Sequence, residues 1–304
     1  MIVEYLEYFF FNLINSIARS LSFRSAERCG AFLGSAVFSL TGFRKAITFD
    51  NLTKAFPEKS PDEINHIARG AYRSYGIAVV QSMWASNKSA EELKSKVKVL
   101  NPEIMENTLT RGKGVIFLSA HYGSWELLPT SVRLHFDRPF FLLAQRQRNA
   151  RIDAIIETHR MRFGNSTTSM GVSSRRVLTA LAEQNIVLIL GDQSGPKEAV
   201  FIEFFGRPSA THRGAAAFSL KTDAPIVAGF LVRQKDGTYT ITLEEVDRSG
   251  LDSSSEENII ELTRRHVAIL EKWIRLHPDH WLWMHKRWKH TPYYEQHQLM
   301  EEKA

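Results

Sequence analysis

The sequence predicts an α/β fold: a three-layer α/β/α domain around a mixed, mostly parallel sheet, preceded by N-terminal helices. Short, strongly apolar runs at 115–120, 140–144, 186–190 and 225–232 are bounded by Gly, Asp or Pro, the pattern of strands buried on both faces. Segments of helical periodicity, 152–162 and 174–183, lie between those runs, and strands alternating with helices indicate an open, partly parallel sheet. The first third of the chain carries helical patterns only.

Taken in order, residues 1–23 are rich in aliphatic and aromatic side chains, including Phe9, Phe10 and Phe11, but Glu4, Glu7, Asn12 and Asn15 interrupt them. A signal peptide opens with a basic region and closes on small residues, and this segment does neither. A spanning helix needs about twenty mainly apolar residues. The segment is therefore expected as an interfacial or weak membrane-anchor helix, with a buried first helix as the alternative. Residues 24–304 are expected as one domain, since a chain of 304 residues can bury a large single core.

Ser60-Pro61-Asp62-Glu63 combines a capping residue, proline at the first helical position and an acid three residues after the cap. Ile64, Ile67, Ala71, Tyr75, Val79 and Met83 follow at helical spacing, so one long amphipathic helix begins here. Residues 238–243 alternate as an edge or antiparallel strand does. Ser253 and Glu256 suggest a second capping box, ahead of Ile259, Val267, Leu270 and Ile274 on one face. The polar residues from Glu295 onward are expected as a loose tail.

Lys and Arg number 39 against 33 Asp and Glu, a net charge of +6. That surplus favours acidic partners such as anionic lipid headgroups, phosphorylated substrates or an acidic carrier protein. Nucleic acid is disfavoured, because the basic residues are scattered and no finger, helix-turn-helix or RNA-binding signature accompanies them. The single cysteine, Cys29, rules out an intrachain disulfide and suits a reducing compartment. No His or acid lies close to it in sequence, so it reads as a small core residue.

In an open α/β sheet, ligands gather beyond the carboxyl ends of the strands. The run at 115–120 leads into His121-Tyr122-Gly123-Ser124-Trp125-Glu126, the run at 140–144 into Arg146 and Arg148, and the run at 186–190 into Gly191-Asp192-Gln193. A neutral imidazole takes a proton from a hydroxyl near pH 7, and a carboxylate on its other nitrogen fixes the tautomer. His121 and Glu126 suit those two roles, with Gly123 turning the chain sharply between them. The same spacing recurs at His266 with Glu271, His290 with Glu295 and His297 with Glu302, but only His121 follows a buried strand. A purely structural His121 is the alternative. His280, His285 and His290 do not share a helical face and no Cys or acid set completes a site, so no metal is expected.

His-Tyr-Gly-Ser-Trp-Glu-Leu at 121–127 resembles the active-site block of the lipid A biosynthesis lauroyl and myristoyl acyltransferases, part of the lysophospholipid acyltransferase-like superfamily. Further blocks follow in that family's order: 145–153, the Arg160-Met161-Arg162 helix end, Gly191-Asp192-Gln193, Phe204-Phe205-Gly206, Thr211 with Gly214, and the closing run from His277-Pro278 to Lys289. The resemblance covers about 115–289. Glutamate rather than aspartate at 126 favours it over the glycerolipid acyltransferases.

The resemblance implies a fatty acyl group moved from acyl carrier protein, or a similar thioester, to a hydroxyl of a phosphorylated glycolipid such as a lipid A precursor. It implies the cytoplasmic face of the inner membrane, reached peripherally or by one N-terminal anchor, and no cofactor, since the thioester already activates the acyl group. It makes His121 the base, Glu126 its orienter, Arg160 the functional arginine and Asp192 the second acid. Arg146, Arg148, Asn149, Arg162, Gln193 and Thr211 become substrate-binding candidates. An ordinary salt bridge remains the alternative for both Arg160 and Asp192. Three departures stand out: a less hydrophobic N-terminus, Gly164 inserted after the arginine pair, which leaves Arg160 and Arg162 as rivals, and Ala150 where the family commonly has proline. Rival readings are an acyltransferase for another acceptor (a mannosylated phosphoinositide, a lysophospholipid or an aminolipid), a non-catalytic peripheral lipid-binding protein, and a thioester hydrolase.

Overall fold

The computed structural model describes residues 2–169 and 174–301, with side chains of the last helix as far as Gln296. Met1, at the head of the expected interfacial segment, and the His297–Glu302 pair lie outside the residues so described.

The helical first third is α1 (Ile2–Ser20), α2 (Phe23–Leu40), α3 (Lys45–Ala55), α4 (Pro61–Ala85) and α5 (Ala90–Lys94). Helix α4 opens with the anticipated capping box: the Ser60 hydroxyl takes the Glu63 backbone N–H, and Glu63 returns to the Ser60 backbone. α2 crosses α4 at backbone contact, made possible by glycine; a Cβ on Gly34 would sit 2.1 Å from the Tyr72 carbonyl oxygen.

Next come β1 (Val97–Val99), α6 (Glu103–Leu109), β2 (Val115–Ser119), α7 (Leu128–Phe136), β3 (Phe140–Ala144), α8 (Ala150–Met161), β4 (Ser166–Ser169), α9 (Ser174–Ala182) and β5 (Ile186–Leu190). The chain closes with β6 (Val200–Phe204), β7 (Arg207–Thr211), α10 (Gly214–Thr222), β8 (Ile226–Arg233), β9 (Tyr239–Glu245), α11 (Glu256–Leu276) and α12 (Thr291–Glu301). The seven-stranded sheet has the order β1-β9-β8-β2-β5-β3-β4; only β8 against β9 is antiparallel, and β6–β7 form a separate hairpin. Strand β9 is antiparallel as anticipated, but β1 covers its outer side, so it is not an edge.

Alternation along β2 creates the layers. Val115 and Phe117 pack with Ala26, Val80, Trp84 and Val132 from the helices on one face. Ile116 and Leu118 pack with Val177, Leu181, Ala216 and Leu262 on the other. A third apolar cluster joins α3, α4 and α11 to Phe204, Trp281, Trp283 and Trp288.

Two local expectations are corrected. Ser255, not Ser253, caps α11 by accepting from the Asn258 N–H, while Ser253 accepts from the Asn258 side chain. The tail from Glu295 continues α12, whose start is fixed by Thr291 donating to the Pro208 carbonyl. Cys29 is half-buried.

Candidate active site

Strands β2 and β5 are parallel neighbours with Ser119 opposite Leu190. Two residues beyond that pair, His121 and Asp192 therefore emerge side by side at the carboxyl edge. His121 Nδ1 lies 2.9 Å from Asp192 Oδ1, and the His121 backbone N–H donates to Oδ2 at 3.0 Å. Trp281 Nε1–H donates to the same Oδ2 at 2.9 Å.

Asp192 is buried, which disfavours its charge, but the His121 ring and these donors hold its carboxyl below the usual carboxylate range. An ionised carboxylate only accepts, so Nδ1 of His121 carries the proton and, in the neutral ring, Nε2 keeps its lone pair. Burial pulls the His121 pKa down; the Asp192 charge outweighs it, and the pKa ends above its ordinary value.

The loop after β2 is pinned by backbone contact. Gly123 sits at φ 55° and donates to the His280 carbonyl; a Cβ there would lie 2.0 Å from the Leu231 carbonyl oxygen. The sharp turn read from the sequence is present, and no other residue fits it. Trp125 packs on the His121 ring at 5.5 Å and stacks with Tyr75 of α4.

The expected hydrogen bond between Glu126 and His121 is absent. Glu126 receives both arms of Arg160, Nη2 to Oε1 at 2.6 Å and Nε to Oε2 at 3.1 Å, in a fork of the kind that best matches guanidinium to carboxylate. Glu126 remains close enough for its charge to raise the His121 pKa. Asp192 is the acid on the imidazole. Burial lowers the Arg160 pKa, but its acidic neighbours, led by Glu126, leave it raised, so it stays cationic.

The other candidates divide. Gln193 stands at the site, its amide nitrogen 3.5 Å from His121 Nε2. Arg162 donates to the Ala85 and Lys88 carbonyls, tying off the end of α4, although it also lines the central cavity. Arg146 is exposed and 3.6 Å from Asp153. Arg148 pairs with Glu7, and Asn149 caps α8 while donating to Glu7 and the Glu4 carbonyl, so both are engaged by α1. Thr211 is fully buried; its hydroxyl donates to Ser209 and accepts from Arg287. Those contacts hold Asn149 and Thr211 within the fold, whereas Arg148 is exposed and meets Glu7 through Nη2 alone.

A cavity of about 640 Å³ opens beside His121. Val79 and Met83 of α4, Leu93, Leu142 and Leu188 supply apolar wall, while Glu126, Arg160, Gln193, Ser194, His212, His285 and Lys289 supply polar wall. Arg160 also borders a small polar cavity with Arg146 and Arg176. Among the described residues, no three His, Cys, Asp or Glu side chains converge as metal ligands would. His280 is held between Asp279 and the Arg233 N–H.

Sequence reasoning missed Trp281 as a donor to Asp192 and the contact of His285 with the Ser194 N–H. The aromatic and basic run at 281–289 was the available signal, but it carries no information on which strand tip it meets.

A histidine at a strand tip, its carboxylate and an adjoining cavity with apolar and polar walls form a site suited to base-assisted chemistry on a partly apolar group. The family model for bacterial lipid A biosynthesis acyltransferases matches residues 1–290, and the chain belongs to that family; it is an acyltransferase. It is 25% identical over 255 residues to a lipid A biosynthesis acyltransferase of Haemophilus influenzae, covering 82% of this chain and 78% of that one. It is 23% identical over 265 residues to the lipid A biosynthesis palmitoleoyltransferase of Escherichia coli K12 (86% and 84% covered), and 22% identical over 268 residues to the lauroyltransferase of the same organism (87% and 85%).

Proposed function

We propose that this enzyme transfers a fatty acyl group from a thioester, carried on acyl carrier protein or a similar donor, to a hydroxyl of a lipid A precursor. The observation that carries the reading is His121 Nε2 at the wall of a cavity with both apolar and polar walls, hydrogen-bonded among the described residues only to the Gln193 amide at 3.5 Å, with Nδ1 committed to Asp192. Nε2 removes the hydroxyl proton as the oxygen attacks the thioester carbonyl, and Asp192 stabilises the imidazolium that forms. Glu126 is the partner of Arg160 rather than of the imidazole, and the fork keeps that guanidinium facing the cavity for a phosphate or for charge developing in the transition state. Acyl transfer is direct, with no acyl-enzyme, since the reading gives His121 no Ser or Cys to activate.

The enzyme works at the cytoplasmic surface of the inner membrane. Supporting contact with a membrane surface, α1 exposes Ile2, Leu6, Phe9, Phe10 and Leu13, and α2 exposes Phe32 and Leu40. Among the described residues no helix is long and apolar enough to cross a bilayer.

The test is transfer of labelled acyl groups from acyl carrier protein to a phosphorylated glucosamine-disaccharide lipid. The native enzyme should form product, and His121→Ala should be slower by about 10²–10⁴-fold. Transfer only to a lysophospholipid or aminolipid acceptor would reassign the substrate; a His121→Ala variant as fast as the native enzyme would remove the base.

A further inference from the structure

We propose that His285 is a second catalytic histidine: a fixed donor whose Nδ1–H holds the thioester carbonyl oxygen as it becomes an oxyanion. This rests on the acyl-transfer reading of the His121 site and adds to it the group that receives the negative charge.

The first observation is a tautomer fixed by backbone. The Ser194 N–H donates to His285 Nε2 at 3.0 Å. A backbone amide can only donate, so Nε2 must present its lone pair, and the ring proton resides on Nδ1. The second is location: His285 lines the same cavity as His121, and the hydrogen bond its ring makes among the described residues is the one at Nε2. The third is charge state. Burial lowers the His285 pKa to about 4; Asp192 opposes that, while His121, Arg287 and Lys289 add to it. The ring is therefore neutral near pH 7, with Nδ1–H uncommitted and no free base to compete with His121.

The two rings are set by one short segment. Asp192 holds His121, and Ser194, two residues on, holds His285. From the other side, the Leu282 N–H donates to the His121 carbonyl, and Asn51 of α3 fixes the Trp283 and His285 carbonyls. Such positions are pre-organised, which is what makes an oxyanion donor effective: nothing must reorient when charge appears.

The step balances within this set. The acceptor oxygen bonds to the carbonyl carbon and its proton passes to His121 Nε2. The C=O π pair moves onto oxygen, against His285 Nδ1–H. When that pair returns, the C–S bond breaks and the thiolate takes the proton from His121.

Gln and Asn separate a catalytic role from a structural one. The Gln carbonyl falls where Nε2 was, keeping the Ser194 bond and losing the donor; the Asn amide nitrogen falls where Nδ1 was, keeping the donor and losing the bond. His285→Gln should lose about 10²–10³-fold in kcat with KM little changed, and His285→Asn should retain more activity. An Asn variant no faster than the Gln variant would make His285 a brace for Ser194 and overturn the proposal. In the native enzyme, nitrogen-15 NMR of the His285 ring should show the proton on Nδ1 from pH 5 to 8. A proton on Nε2, or titration within that range, overturns it whatever the variants do. Loss of activity in His121→Ala beside an unimpaired His285→Gln would leave the base reading standing and reject this one alone.

Discussion

His121 Nδ1 and Asp192 Oδ1 stand 2.9 Å apart at the tips of two adjacent parallel strands, with Trp281 capping the other carboxylate oxygen. Replacing Asp192 by Asn removes the charge that fixes the tautomer, and kcat should fall by about 10²–10⁴-fold. The pH profile carries a second signature. In the proposed mechanism His121 acts as a neutral base, and its pKa is raised, so the acid limb of kcat/KM should lie above the ordinary 6.5. Without Asp192 the effect of burial dominates, and that limb should move to lower pH. Stability follows the same linkage: the contribution of His121 is full below 6.5 and fades as pH rises through its raised value. That of Asp192 is full above 3.8 and fades as pH falls through its lowered value. An Asp192→Asn profile with an unmoved acid limb would show that this pair does not set the base.

Glu126 and Arg160 form one unit, each mostly shielded from solvent, with side-chain exposures of 24% and 18%. Removing either partner leaves the other beside the cavity with its charge unmatched. Glu126→Gln and Arg160→Lys should each lower kcat/KM by about 10-fold to 100-fold, and the double variant should lose little more than the worse single one. A coupling of about 1–3 kcal/mol is expected from such a fork. Strictly additive losses would mean the two side chains act independently.

The same pair shows what the sequence could and could not reveal. The strand tips, the turn at Gly123 and the edge where ligands gather were legible, because burial and glycine leave local marks. Which acid meets the imidazole was not. Glu126 is five residues from His121 along the chain, whereas Asp192 is seventy-one away and is brought alongside by the β2–β5 register. Register is a pairing between segments and has no trace in either one alone. Arg148 and Asn149 were legible as a polar cluster after β3, but their partners lie on α1, at the far end of the chain. The β6–β7 hairpin and the buried Thr211–Arg287 contact escaped for the same reason.

Val79 sits on α4 where the cavity of about 640 Å³ meets the helix layer. Under the proposed function, phenylalanine at this position should occupy space taken by the acyl chain and shift donor preference toward shorter chains. Each buried methylene contributes about 0.8 kcal/mol, so the preference between donors two carbons apart should change by about 10-fold. Paired donors competing in one reaction, resolved by mass spectrometry of the product, give this ratio directly. An unchanged ratio with normal activity would place the acyl chain elsewhere.

The exposed face of α1 predicts how the enzyme meets its substrate. Phe9 and Phe10 are 61% and 56% exposed, while Tyr5 of the same helix contacts Arg151 of α8 and Glu7 contacts Arg148 just before it. Substituting both phenylalanines by serine removes apolar surface without touching those ties, so the fold and the cavity wall at Phe11 should persist. Partitioning onto vesicles containing anionic lipid should weaken by about 10–100-fold, given the area the two rings can bury at a bilayer interface. Turnover of a short-chain, water-soluble acceptor should stay at the native rate, because the chemistry at His121 does not need the membrane. If vesicle binding is unaffected, α1 is not the docking element; if both activities fall together, its role is to complete the cavity.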